Sequence, residues 1–150
     1  MQPNNQIIIR LLNRILLSRD IPDEFDNVAG NFESSCFVLI GESPANPSMM
    51  AKYYPFRDTK GCSGWLNKLL DAENVQEKDL FWINAYHFDG SPNDLEILRY
   101  LKDKKIICLG KKAEKWLKPS GLKYESVPHP QYWKRFKSKE RYPLMDLLKT

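Results

Sequence analysis

The chain has 150 residues, of which 42% are hydrophobic, so it is long enough for one domain with a genuine core and too apolar to be disordered throughout. Its formal net charge is only +4, but basic side chains are concentrated in residues 99–141 and interleaved with aromatic ones. This distribution favours a polyanion such as nucleic acid as partner, with solvated helix faces as the alternative. The three cysteines form no CxxC pair, which indicates neither a zinc site nor a disulfide framework.

Polar residues at helical spacing interrupt the first apolar stretch, 7–17. The pattern predicts an amphipathic helix from about Asn5 to Ser18, rather than a signal peptide or a membrane span. The polar segment 20–35 predicts a short helix or a loop. We therefore expect one domain over residues 1–150, with an N-terminal helical segment, 1–35, packed on it. A cytoplasmic, monomeric protein without membrane association is expected.

Apolar runs and amphipathic stretches alternate along the rest of the chain. The runs predict four strands, at Cys36–Ile40, Leu80–Asn84, Lys105–Leu109 and about Lys123–Val127. The amphipathic stretches predict helices at about Cys62–Ala72, from Ser91 with Leu95, Leu98 and Leu101 as its buried stripe, after Gly110, and at about Ser138–Leu148. This alternation predicts an α/β fold, a three-layer sandwich around a central, mainly parallel, four-stranded sheet.

Polar side chains follow three of the predicted strands. Glu42 comes just after the first strand, Asn84 ends the second, and His129 follows the fourth. Parallel strands with right-handed crossovers bring their carboxyl ends to one edge of the sheet, where ligands bind in open α/β folds. The long, proline-containing loop 41–60 carries Phe56 toward the same region, and loops of this length are commonly functional. Together these groups suit a pocket for a flat heterocycle, with His87 a weaker candidate at its rim.

Four short segments lie at or just after these strand ends. They are Gly41-Glu42-Ser43-Pro44, Pro55-Phe56 followed by Gly64 and a leucine-bearing helix, Ile83-Asn84-Ala85, and Pro128-His129-Pro130. In order and approximate spacing, the set resembles the uracil-DNA glycosylase superfamily, and most closely the branch whose motifs read G-E-x-P-G and H-P. Ala45 replaces the second glycine of the first motif. The four cysteines that bind an iron–sulfur cluster in thermophilic members are missing, so no metal or cofactor is expected.

The resemblance implies a monofunctional enzyme that hydrolyses the N-glycosidic bond of uracil, or of a 5-substituted relative, in DNA. The base is flipped out of the duplex and an abasic site remains. Glu42 would position the attacking water or stabilise an oxocarbenium-like sugar. His129 would donate to O2 of the leaving uracil anion. A purely structural interpretation remains open for both: a turn residue for Glu42 and a structural histidine for His129.

The resemblance assigns the base-binding role to Asn84, Phe56, Ser43 and Ala45. The Asn84 amide would read the N3–H and O4 edge of uracil, and Phe56 would stack on the flipped ring. Two structural alternatives stay open: Asn84 as a loop cap, and Phe56 as a hydrophobic plug beneath the proline-rich loop.

The residues after His129 predict a DNA-binding segment. Tyr132 or Trp133 would fill the gap left in the duplex, while Lys134 and Arg135 would contact phosphates. Packing of Trp133 in the core is the alternative.

Two other functions fit the same residues. One is a glycosylase-fold module that binds DNA or a protein without chemistry, a hypothesis motivated by Ala45 and by the altered residues after His129. The other is an enzyme that acts on free nucleotides or on a modified base, for which the small Ala45 would leave room.

Overall fold

The computed structural model describes residues 28–30, 32, 35–43, 61–75, 79–87, 89–101 and 103–149. Within them, one sheet contains the strands β1 (Val28–Gly30), β2 (Phe37–Gly41), β3 (Leu80–Asn84), β4 (Lys105–Leu109) and β5 (Glu125–Val127), in the order β1-β3-β2-β4-β5. Strands β3, β2, β4 and β5 run parallel, and β1 pairs with β3 in the antiparallel direction. The expected α/β class and mainly parallel sheet are confirmed, and the four predicted strands form its parallel part.

The described helices connect these strands and close the domain. They are α1 (Gly61–Ala72), α2 (Lys111–Leu117), α3 (Pro130–Phe136) and α4 (Leu144–Leu147), with 3₁₀ helices at Leu95–Tyr100 and Lys118–Ser120. None of these described helices combines the length and the apolar character needed to cross a membrane.

Both faces of the sheet are covered, because successive strand residues point to opposite sides. Val38 and Ile40 of β2 face one hydrophobic cluster, which includes Ile97 and Leu98 of the first 3₁₀ helix and Ala113 and Trp116 of α2. Leu39, between them, faces a second cluster with Leu66 and Leu70 of α1 and Leu144 and Met145 of α4. The alternation produces three layers, and the four parallel strands have their carboxyl ends at one edge.

The helix predicted from Ser91 is wrong in type and start. A 3₁₀ helix begins at Leu95, and its cap is Asp94, whose carboxylate accepts a hydrogen bond from the Glu96 N–H at 2.9 Å. Ser91 instead bonds Asp89 in the preceding turn. The tighter 3₁₀ winding changes which side chains face inward. Ile97 is therefore buried, whereas Leu95, predicted to be buried, is 51% exposed.

Within the predicted last helix, about 138–148, only Leu144–Leu147 forms an α-helix, α4. Pro143 disfavours helical backbone at the residue before it, so α4 begins only at Leu144. Pro130 occupies the first turn of α3, which its fixed φ favours, and this helix falls where no helix was predicted.

The segment 20–35 also differs from the prediction, because its residues 28–30 form β1. The predicted helix at about 5–18 and most of the loop 41–60 lie outside the described residues.

Candidate functional site

Glu42 and His129 meet at the edge of the sheet where β2 and β5 end. Glu42 Oε2 and His129 Nε2 are 3.9 Å apart, and each side chain is about one-third exposed. This separation is too long for a direct hydrogen bond but short enough for each group to influence the charge of the other. The structure thus brings the two principal predicted residues together, with solvent access to both.

The backbone fixes which nitrogen of His129 carries hydrogen. His129 is the N-cap of α3, and its Nδ1 accepts the Gln131 backbone N–H at 3.0 Å. A neutral imidazole that accepts at Nδ1 carries its hydrogen on Nε2. The N–H of His129 is therefore on the nitrogen nearest Glu42, which is the atom that the proposed chemistry uses.

The surroundings of His129 favour this neutral form. Burial lowers the pKa of the imidazole; Glu42 raises it, Lys112 lowers it, and the net pKa lies below the ordinary value. At pH 7 His129 is therefore a neutral donor beside a carboxylate.

Gly110 lets the turn between β4 and α2 lie against the imidazole. Its φ is +105°, which favours glycine, and a Cβ there would lie 3.0 Å from His129 Cβ and 3.2 Å from Cδ2. The Gly110 N–H also donates to the Val127 carbonyl at 2.9 Å. A larger residue would therefore strain the backbone and press on the imidazole.

Lys112 completes the cluster and was not predicted. Its Nζ lies 3.1 Å from Glu42 Oε1. Strand β4 lies between β2 and β5, so the residues that follow β4 must lie between Glu42 and His129. The sequence signal is Gly110-Lys111-Lys112, which follows the third predicted strand at the same edge as the other three strand ends.

Asn84 reaches the same edge in a position that suits a structural role. It pairs with Gly41 in the register of β2 and β3 and is buried. Its Oδ1 accepts the Trp82 indole N–H at 2.8 Å, and its backbone carbonyl accepts from Asn93 Nδ2 at 2.9 Å. One lone pair of the amide oxygen is thus committed to the fold, through a contact with the Trp82 indole.

The predicted DNA-binding residues separate on α3. Trp133 packs on Tyr142, with ring centroids 5.8 Å apart, and donates its indole N–H to the Glu140 carbonyl at 3.0 Å. Tyr132 is 48% exposed and lies beside Phe136, which is 64% exposed. Arg135 is exposed and Lys134 is half-buried. The surface aromatic pair is therefore Tyr132 and Phe136, while Trp133 is partly buried and packs against the core.

Tyr142 connects this helix to the site. It is 1% exposed, its ring contacts Trp65 of α1 and Trp133 of α3, and its hydroxyl donates to the Pro128 carbonyl at 2.6 Å. This contact anchors the residue immediately before His129. Gly110 thus packs closely against His129, and the Tyr142 hydroxyl anchors the backbone just before it.

Three predicted base-binding residues remain: Ser43, Phe56 and Ala45. Ser43 is exposed next to Glu42. Phe56 and Ala45 lie outside the described residues. Among the residues that are described, no three His, Cys, Asp or Glu side chains are grouped as a metal site.

Comparisons with known proteins found no matching family model and no matching curated protein. The interpretation of the site therefore depends on its geometry and on the motif resemblance.

Proposed function

We propose that this protein is a monofunctional DNA glycosylase that releases uracil or a related pyrimidine from DNA. The observation that carries the proposal is the pairing of a carboxylate, Glu42, with the neutral Nε2–H of His129 at 3.9 Å, at the strand edge where α/β folds bind ligands. Cleavage of an N-glycosidic bond separates charge, because the sugar becomes cationic while the base leaves as an anion. An anion and a hydrogen-bond donor that face the same space stabilise both halves of that transition state.

The proposed roles use the two atoms that lie opposite each other at this edge, Glu42 Oε2 and His129 Nε2. The bond between the anomeric carbon and the base nitrogen breaks, and its electron pair leaves with the base. Glu42 stabilises the positive sugar and orients the water whose oxygen adds to the anomeric carbon. That water loses a proton to solvent, and the released base anion takes up a proton from solvent. His129 donates from Nε2 to the carbonyl oxygen where the negative charge of the base accumulates.

The first prediction is loss of base release in Glu42→Gln, since glutamine keeps the shape of the side chain but removes its charge. On oligonucleotides that contain uracil or 5-hydroxymethyluracil, the wild type should form abasic sites that alkali cleaves, with the free base identified by mass. Glu42→Gln should be slower by about 10²–10³-fold, the usual cost of losing one preorganised electrostatic group. Glu125→Gln, an exposed glutamate on β5, is the matched control and should retain full activity.

Three outcomes separate the candidate functions. Equal base release by wild type and Glu42→Gln would indicate a contaminating enzyme and contradict the proposal. Absence of alkali-labile sites on every single- and double-stranded substrate would also contradict it. Release of base from free deoxyuridine alone would instead support an enzyme of nucleotides or nucleosides.

A DNA-binding module without chemistry is the second candidate. The contact between Asn84 Oδ1 and the Trp82 indole favours it, because the amide expected to read the base already serves the fold. Salt-sensitive DNA binding without base release would support this candidate.

The second prediction concerns the exposed face of α3. In the Glu42→Gln background, Tyr132→Ala should weaken binding of a uracil-containing oligonucleotide by about 1–3 kcal/mol through lost stacking. Arg135→Ala should weaken binding on all sequences and reduce the salt dependence by about one phosphate contact. Fluorescence anisotropy over a salt series measures both effects.

Lys118→Ala is the control for this face, since Lys118 is an exposed base on the second 3₁₀ helix. Equal weakening by Lys118→Ala and Arg135→Ala would mean that general positive charge, and not α3, determines DNA binding.

A further inference from the structure

We propose that Lys112 is a positioning residue of this site, whose ammonium group holds the Glu42 carboxylate away from His129. The inference rests on the proposed glycosylase function for its role in catalysis. Its geometric part, a three-member cluster of Lys112, Glu42 and His129, stands on the contacts in the structure. Lys112 Nζ is 3.1 Å from Oε1 of Glu42, and the other oxygen, Oε2, is 3.9 Å from His129 Nε2.

The fold places Lys112 there for reasons other than helix stability. It lies in the first turn of α2, where the helix dipole favours acidic side chains over basic ones. The preceding Gly110 turn packs against His129, and β4 lies between the strands that carry the other two groups. The positive charge of Lys112 is unfavourable at this end of the helix dipole, and the Glu42 carboxylate compensates for it.

The ion pair itself contributes little to folding. The Lys112 side chain is 75% exposed, and exposed ion pairs are weak because solvent screens them. Removal of the lysine should therefore leave the domain folded. What should change is the position of the carboxylate and the charge that surrounds His129.

The role of the contact follows from what Glu42 would do without it. With Oε1 released, the carboxylate can approach the imidazole, and an imidazolium–carboxylate pair is favoured at short distance. Such a pair would protonate His129 and occupy Glu42, so both groups would lose the states that the proposed chemistry requires. Lys112 also disfavours protonation of His129 directly, through its own positive charge.

The first test follows the titration of the imidazole by NMR and does not depend on any enzymatic activity. The chain has two histidines, so His87 gives a reference signal in the same sample. Lys112→Gln should move the His129 midpoint upward by roughly half a pH unit, whereas Lys112→Arg should keep it near the wild-type value. Lys115→Gln, which removes an exposed charge from the same helix, is the matched control and should leave it unchanged.

The second test measures base release from the uracil oligonucleotide. Lys112→Gln should lower kcat by about tenfold with little change in KM, because a displaced catalytic group affects the chemical step. The acid limb of its pH profile should move upward with the His129 midpoint. Lys112→Arg should restore most of the rate.

The outcomes distinguish this inference from the proposed function. An inactive wild type whose His129 midpoint still rises in Lys112→Gln would refute the glycosylase proposal and support the positioning contact. An unchanged midpoint, or an equal shift in Lys115→Gln, would overturn the positioning role even if the wild type releases uracil.

Discussion

Replacement of His129 by alanine should slow uracil release by about 10²–10³-fold, since it removes the donor that the proposal assigns to a base that leaves as an anion. The rate should be measured in single-turnover experiments, so that it reports the chemical step and not product release. His87→Ala is the histidine control, because His87 lies on the turn after β3 and has no role in the proposed reaction. A His129→Ala enzyme with the wild-type rate would remove His129 from the mechanism.

His129 also caps α3, so its loss has a structural cost that must be separated from the chemical one. Loss of a cap typically destabilises a protein by about 0.5–2 kcal/mol. His129→Asn keeps an acceptor for the Gln131 N–H, which His129 now supplies at 3.0 Å. This variant should be more stable than His129→Ala and equally slow. Recovery of activity together with stability would indicate that His129 acts only as a cap.

The pH dependence of the wild type follows from the same contacts. The pKa of His129 is lowered in the folded state, chiefly by burial, so the unfolded chain binds this proton more tightly. The stability associated with neutral His129 is therefore fully present above about pH 6.5, the unfolded value, and is lost as pH falls through the folded pKa. Activity should decline over the same pH range. Protonation adds a hydrogen to Nδ1, which then faces the Gln131 N–H that Nδ1 accepts in the neutral imidazole. In His129→Asn, this pH dependence should be absent from both the stability and the activity.

Apolar runs bounded by glycine or asparagine were sufficient to predict β2, β3 and β4 within one residue at each end. Parallel strands that alternate with helices have their carboxyl ends at one edge. The proximity of Glu42 and His129 could therefore be predicted without coordinates, although they are far apart in sequence. The distance itself, and the tautomer of His129, depend on the Gly110 turn and the start of α3.

The errors have local causes. Strand β1 contains only three residues, Val28–Gly30, and is defined by its pairing with β3. It is too short for an alternating pattern to predict it. The predicted last helix begins at about Ser138, so no helical face was predicted for Pro130–Phe136. Without a predicted helical face, nothing in the sequence distinguishes the partly buried Trp133 from the exposed Phe136. The contact of Lys112 with Glu42 depends on the Gly110 turn and the start of α2, which the strand pattern alone does not specify.

Replacement of Gly41 by alanine should destabilise the protein and distort the site at the same time. A Cβ on Gly41 would lie 2.3 Å from Trp82 Cζ2 and 2.8 Å from Cε2, distances that real Cβ contacts do not show. The indole is buried and bonded to Asn84, so it has little freedom to move. We expect the free energy of unfolding in urea to fall by about 1–3 kcal/mol, as for other overpacked cores. Base release should fall with it, because Glu42 is the next residue.

The double variant Gly41→Ala/Trp82→Phe identifies the cause. Phenylalanine lacks the outer part of the indole ring against which the new Cβ would press, so the two destabilisations should be less than additive, with a coupling of about 0.5–3 kcal/mol. Far-UV circular dichroism should follow unfolding, because tryptophan fluorescence changes with the substitution itself. If the two destabilisations are additive, Gly41→Ala disturbs the β2 backbone and not the contact with the indole. A Gly41→Ala protein as stable as the wild type would mean that the indole can shift, and that the strand end beneath Glu42 is less tightly constrained than its packing indicates.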